Sequence, residues 1–245
     1  MERRSFCAKQ QAIRRGGTAS ATSWWVVLAL ALLSGWCGTL VSGQDCVCTR
    51  EEVQTIATTL GNGGALGDVN GDEWLDLYIT IEDEEASDVL LINNGDGTFT
   101  QSNQTFGTDY ASFAVAMGDL NNDTFLDIFV TTTSSEPNAV WLNNGDGTFA
   151  LSQELGRDSS SGVVLVDLNG DGALDAFVTN ISPVGNKVYL NTNNGTGLLL
   201  DSGQTLGDRN SFAVAIADLN NDTAPDAFVC NFNDQPDEVS RMHSK

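Results

Sequence analysis

Histidine, positive charge and a cysteine framework are what this chain of 245 residues has least of. Its one histidine, His243, lies near the C-terminus, so neither a histidine-based zinc site nor a Ser-His-Asp triad can be assembled around it. Cys46 and Cys48 form a close pair, but no second pair exists to complete a zinc centre. There are 11 Lys and Arg against 33 Asp and Glu, a formal charge of −22. From Gln44 onward the balance is 6 − 32 = −26, because five of the basic residues precede that point. Such a surface repels nucleic acid and anionic membranes, and cations would relieve its self-repulsion.

Those early basic residues precede an uncharged stretch from Trp24 to Val41, followed by the small residues Ser42 and Gly43. The pattern predicts a secretory signal over residues 1–43, with an uncleaved signal anchor as the alternative. Either one places the remainder outside the cell, secreted or as a single-pass membrane protein, since Arg14 and Arg15 stay on the cytosolic side. Removal of the signal leaves Cys46, Cys48 and Cys230, an odd number from which no disulfide framework follows.

What is abundant is aspartate in a fixed pattern. Asp-x-Asn-x-Asp-x-x-x-Asp occurs at Asp68, Asp119, Asp167 and Asp218, separated by 119 − 68 = 51, 167 − 119 = 48 and 218 − 167 = 51 residues. Repetition at this period marks a repeated structural unit. Alternate carboxylates in a tight loop suit a hard cation that takes six or more oxygen ligands, so each nonapeptide is a candidate calcium loop. The proposed ligands are positions 1, 3, 5 and 9 with the backbone carbonyl of position 7. In the four loops these are Asp68, Asn70, Asp72, Trp74 and Asp76; Asp119, Asn121, Asp123, Phe125 and Asp127; Asp167, Asn169, Asp171, Ala173 and Asp175; Asp218, Asn220, Asp222, Ala224 and Asp226. Up to four Ca2+ are expected. Magnesium prefers a smaller and more hydrated site.

Position 4 is Gly71, Asn122, Gly170 or Asn221, residue types that tolerate left-handed backbone. Position 8 is Leu75, Leu126, Leu174 or Pro225, expected to anchor the loop to the core. An EF-hand would need Glu at position 12 and flanking helices, but Ile79, Val130, Val178 and Val229 stand there in β-rich runs. An ion-free Asx-rich turn is the competing reading of a single loop. Four copies weigh against it, because three like charges held together cost on the order of a kcal/mol per pair.

After each loop comes an alternating run: DLYIT from Asp76, DIFVT from Asp127, DAFVT from Asp175 and DAFVC from Asp226. A second strand and a Gly-rich turn follow in DVLLINNGDGTF, NAVWLNNGDGTF and NKVYLNTNNGTG, each predicting a β-hairpin. The count is about four strands per unit without helical periodicity, as expected of propeller blades. Units span about 61–106, 107–155, 156–206 and, in part, 207–239, after a lead-in with a first strand at 44–60 and before a divergent tail at 240–245. The expected fold is therefore all-β, three full blades and a partial fourth, with open blade edges available for self-association.

From about Glu52 to Val239 these motifs resemble the FG-GAP and VCBS repeat family, which includes the propeller of integrin α chains. The resemblance implies a calcium-binding β-propeller with about seven blades when closed, and a role in adhesion or recognition of an extracellular protein or glycan. Family repeats also occur attached to secreted lipid- and polysaccharide-processing enzymes, and a purely structural calcium-binding protein is a third reading. No nucleophile, base or cofactor motif is present, so catalysis is not expected. Sequons stand at Asn103, Asn122, Asn180, Asn194 and Asn221; those at Asn122 and Asn221 lie inside the loops, which leaves Asn103, Asn180 and Asn194 as better acceptors.

Overall fold

The computed structural model describes residues 61–83, 86–107, 111–181, 184–232 and 235–241. The expected signal, Cys46, Cys48 and His243 lie outside them. Each described unit is an antiparallel meander. Blade 1 holds β1 (Gly61–Gly67), β2 (Asp76–Ile81), β3 (Val89–Asn93) and β4 (Phe99–Gln101). Blade 2 holds β5 (Ser112–Gly118), β6 (Asp127–Thr132), β7 (Asn138–Asn143) and β8 (Phe149–Leu155). Blade 3 holds β9 (Ser160–Val166), β10 (Asp175–Asn180), β11 (Asn186–Asn191) and β12 (Leu199–Leu206). Blade 4 has three strands, β13 (Ser211–Ala217), β14 (Asp226–Asn231) and β15 (Glu238–Arg241). No helix occurs among the described residues, and none is long and apolar enough to cross a membrane.

The innermost strands β1, β5, β9 and β13 neighbour one another in order, which sets the sheets around an axis as a β-propeller arc. Strand alternation then gives every blade two apolar faces. At the seam of blades 1 and 2, Tyr78 and Leu90 pack with Ile128, Val130 and Phe149. Phe129, Val140 and Leu155 meet Ala176, Val178 and Tyr189 at the next seam, and Phe177 and Val188 meet Ala227 and Val229 at the last. The core is therefore a series of similar interfaces between blades. β15 continues two residues past the boundary read at Val239, through Ser240 and Arg241, in antiparallel register with β14.

Two polar devices recur at these seams. Gln104 on blade 1 donates to Phe149 O (2.6 Å) and accepts from Phe149 N (2.8 Å), clamping the first residue of the next outer strand. Gln153 does the same to Leu199, at 3.1 and 2.9 Å. Within each blade an Asx side chain at the start of the third strand accepts from the backbone at the end of the second. The pairs are Asp88 with Ile81 N (2.8 Å), Asn138 with Thr132 N (3.0 Å), Asn186 with Asn180 N (3.0 Å) and Asp237 with Asn231 N (3.0 Å).

Candidate functional site

All four nonapeptides form the loop between the first and second strands of a blade, and all four fold alike. In the first, both oxygens of the Asp68 carboxylate turn inward, accepting from Gly71 N (2.8 Å), Asp72 N (3.2 Å) and Glu73 N (2.8 Å). Asn70 Oδ1 accepts from Asp72 N (3.1 Å), and its Nδ2 donates to Asp72 Oδ2 (2.9 Å), so positions 3 and 5 meet side chain to side chain. The Asp72 carboxylate accepts from Trp74 N at 2.8 Å. Equivalent bonds hold Asp119, Asn121 and Asp123, then Asp167, Asn169 and Asp171, then Asp218, Asn220 and Asp222.

The backbone at position 4 is left-handed as expected, with φ of 77°, 61°, 80° and 63° at Gly71, Asn122, Gly170 and Asn221. Position 6 is left-handed too, at Glu73 (72°), Thr124 (77°), Gly172 (89°) and Thr223 (72°). That was not anticipated. For a β-branched threonine the conformation is strained, and a local set of bonds must hold it.

Position 9 differs from the rest in being buried within the blade. Asp76 Oδ2 accepts from Val69 N (3.0 Å) and Oδ1 from Asn93 N (2.8 Å), which ties the loop to β3. Asp127 is held by Leu120 N (2.8 Å) and Asn143 N (2.9 Å), and Asp175 by Leu168 N (2.9 Å) and Asn191 N (2.7 Å). Asp226 Oδ2 accepts from Leu219 N at 3.1 Å, while its buried Oδ1 has no partner among the described residues.

Burial is the main force raising the Asp127 carboxyl to about 6, opposed by the two amide bonds and reinforced by the negative charges of Asp123 and Asp119. Asp76 and Asp175 are raised for the same reason, with Asp72 and Asp68, or Asp171 and Asp167, adding repulsion. Three carboxylates of one nonapeptide thus feel one another across the loop. Their chemistry, hard oxygen donors of like charge at short range, fits a divalent cation of the calcium type. Among the described residues no three His, Cys, Asp or Glu side chains stand together as a ready-made metal site. A carboxylate oxygen has two lone pairs, so amide bonding and metal ligation are compatible on one group.

The position-7 side chains, whose carbonyls were proposed as donors, split into two kinds. Trp74 and Phe125 are exposed and lie against Gly95 and Gly145 of their own hairpins, whereas Ala173 and Ala224 are buried. Position 8 holds to expectation in blades 2 and 3: a Cβ on Gly67 would meet Leu126 Cδ1 at 2.6 Å, and one on Gly118 would meet Leu174 Cδ1 at 2.7 Å. Leu75 departs from it, being 54% exposed, because blade 1 has no described inner strand before β1 to receive it. Position 12 lies inside β2, β6, β10 and β14, as the rejection of an EF-hand requires.

Neighbouring loops are also joined. Asn143 Nδ2 donates to Val69 O in the loop of blade 1 (2.8 Å) and to Leu126 O in its own (3.1 Å). Asn191 Nδ2 repeats this toward Leu120 O (2.8 Å) and Leu174 O (3.1 Å). These asparagines begin the Gly-rich hairpins, and the turn signal there concealed their bridging role. Among the sequons, Asn103 and Asn194 are exposed. Asn180 is not: it is fully buried and donates to Gly185 O at 2.7 Å, which corrects its reading as a glycan acceptor. Cys230 forms no disulfide among the described residues.

Comparison with known proteins follows the repeat. A lectin from Agrocybe aegerita, described as specifically recognising non-reducing terminal N-acetylglucosamine, is similar in structure at 21% identity and a TM-score of 0.43. The alignment covers 71% of this chain and 50% of the lectin, so the chain spans about half the length of that protein. No curated protein matches. The family profile described as FG-GAP-like repeat matches at residues 68–130, 123–178 and 167–229, each match running from loop to loop. With matches that together cover more than half of its length, the chain belongs to the FG-GAP-like repeat family.

Proposed function

We propose that this FG-GAP-like propeller protein is an extracellular recognition or adhesion module whose loops are held by calcium. The observation that carries the reading is the repetition of one loop conformation in all four nonapeptides, whose position-9 carboxylate in blades 1 to 3 is raised first by burial and further by the charges of positions 1 and 5. Calcium would supply the positive charge that these loops lack. Positions 1, 3, 5 and 9 would hold it, from Asp68, Asn70, Asp72 and Asp76 in blade 1 to Asp218, Asn220, Asp222 and Asp226 in blade 4, with the carbonyls of Trp74, Phe125, Ala173 and Ala224 as further donors. The position-9 aspartate transmits the constraint to the third strand through its bond to Asn93, Asn143 or Asn191.

Recognition of an extracellular protein or glycan is supported by the exposed Trp74 and Phe125 beside the first two loops, since aromatic side chains anchored on a rigid frame are effective contact residues. Screening the purified chain on glycan arrays and cell surfaces, with calcium and with chelator, tests this half of the proposal. Calcium-dependent binding that falls at least tenfold in Trp74→Ala supports it. Binding to nothing, or calcium-dependent hydrolysis of lipid or polysaccharide by the purified chain, contradicts it.

A further inference from the structure

Six asparagines of this chain are followed by glycine: Asn62, Asn70, Asn94, Asn144, Asn169 and Asn194. In such a pair no side chain hinders the glycine nitrogen from attacking the asparagine carboxamide, so by sequence alone the six are equally prone to lose ammonia. The fold separates them.

The attack needs a glycine amide that is not already engaged. Five of the six are donors: Gly63 N to Thr80 Oγ1 (2.8 Å), Gly71 N to Asp68 Oδ1 (2.8 Å), Gly95 N to Asn93 Oδ1 (3.0 Å), Gly145 N to Asn143 Oδ1 (2.9 Å) and Gly170 N to Asp167 Oδ1 (2.7 Å). The same five pairs also tie down the nitrogen that must leave. Nδ2 of Asn62, Asn70, Asn94, Asn144 and Asn169 donates in turn to Glu82 (2.9 Å), Asp72 (2.9 Å), Thr98 (2.8 Å), Thr148 (3.0 Å) and Asp171 (3.1 Å).

Asn194 is arranged the other way round. Neither Gly195 N nor Asn194 Nδ2 has a hydrogen-bond partner among the described residues, while Asn194 Oδ1 accepts from both Thr196 N (3.0 Å) and Thr196 Oγ1. Two donors on a carbonyl oxygen draw charge from its carbon and stabilise the oxyanion that an attacking nitrogen creates. Asn194, Gly195 and Thr196 are all exposed, so water reaches the turn. The cause is hairpin length. Asn191 pairs with Leu199 where Asn143 pairs with Phe149, a turn longer by (199 − 191) − (149 − 143) = 2 residues. Asn193 N therefore takes the bond to Asn191 that Gly145 N makes to Asn143, and Asn194-Gly195 is left beyond it.

We infer that Asn194 is a self-modifying site of the folded chain, activated by Thr196 and converted to aspartate and isoaspartate through a cyclic imide with Gly195. The Gly195 nitrogen bonds to Asn194 Cγ as it gives up its proton; the Cγ–Nδ2 bond breaks, and ammonia carries that proton away. Water then opens the imide at either carbonyl, with no oxidant or reductant involved. Conversion adds a negative charge to a hairpin that rests on the second loop, where a Cβ on Gly197 would meet Asn121 Cβ at 3.4 Å. It also removes the acceptor of the sequon at Asn194. The inference is independent of the calcium reading, because Asn62, Asn94 and Asn144 are protected without being proposed ligands.

The test uses the full chain from a host that adds no N-glycans, held folded in mildly alkaline, calcium-containing buffer made with heavy-oxygen water. Peptide mass spectrometry follows all six asparagines, and the chain unfolded in urea serves as the reference. The expected result is that Asn194 converts at least about tenfold faster than the other five in the folded chain, the order of what one retained hydrogen bond is worth, and at a comparable rate in urea. The product carries the heavy oxygen and is a mixture of aspartate and isoaspartate. Thr196→Val keeps the backbone donor but not the hydroxyl; it should slow Asn194 several-fold with the other five and the melting temperature unmoved. Conversion of Asn194 no faster than that of the other five in the folded chain overturns the inference, and so does an unchanged Asn194 rate in Thr196→Val.

Discussion

Asp88 is the one member of its brace that pairs a buried negative charge with a tyrosine. Its Oδ2 accepts from Tyr78 Oη at 2.9 Å and its Oδ1 from Ile81 N, and burial pushes its carboxyl up to about 6. Blades 2 and 3 place Asn138 and Asn186 at the same point, where an amide serves without a charge. An aspartate whose folded value lies above its ordinary one contributes fully in acid and less as pH rises from about 4 to about 6. The expected outcome for Asp88→Asn is a loss of that pH slope, with the free energy of unfolding at pH 7 raised by up to about 3 kcal/mol, the order of a shift of about two pKa units. Melting curves of both forms across this range in chelator check it. Thr124 and Thr223 teach a related lesson: their left-handed backbone is tolerable because the position-1 aspartate accepts from their amides. Nothing in the spacing of the aspartates announced that strain.

Between loops and strands, a polar relay outlines the arc. Asp76 accepts from Val69 N, Val69 O accepts from Asn143, and Asn143 N donates to Asp127; Leu120 and Asn191 carry the same sequence on to Asp175. Replacing Asn143 by Ala removes its amide from both Val69 O and Leu126 O and leaves buried carbonyls unsatisfied, at a cost of about 2–3 kcal/mol. Chemical denaturation measures this, and an effect below about 0.5 kcal/mol would show the relay to be incidental. Most of the element plan was legible in the residues. The strands start at Asp76, Asp127, Asp175 and Asp226 because the ninth position of each loop is also the first of a strand. The hairpins were legible from Asn-Gly and Asp-Gly turns. The cross-blade partners were not, because Asn143 and Gln153 look like ordinary turn and strand residues until neighbouring blades bring Val69 and Leu199 beside them. Asn180 was misjudged for the same reason: a sequon is local, and its burial is tertiary.

At the scale of the whole molecule, stability resides in seams, and equal residues have unequal weight according to whether a seam is closed. Phe129→Ala should cost about 3–5 kcal/mol, as expected for emptying a closed aromatic site, whereas Phe228→Ala, on the open face of blade 4, should cost less than about 1 kcal/mol in a monomer. Paired denaturation curves at a concentration that keeps the chain monomeric measure the contrast. The full sequence carries a formal charge of −22, with three aspartates in each loop, and burial of Asp127 with a carboxyl raised to about 6 means that below that pH an ion must displace its proton. Cation stabilisation should therefore grow as pH rises through about 6. The central claim, that calcium occupies the Asp-x-Asn-x-Asp-x-x-x-Asp loops, is tested most directly by native mass spectrometry of the chain in millimolar calcium at pH 7, with melting followed in parallel. The expected result is bound calcium, up to four ions per chain, with a melting temperature that climbs as calcium is added and a loss of one ion in Asp123→Ala; no bound ion and an unchanged melting curve would contradict it.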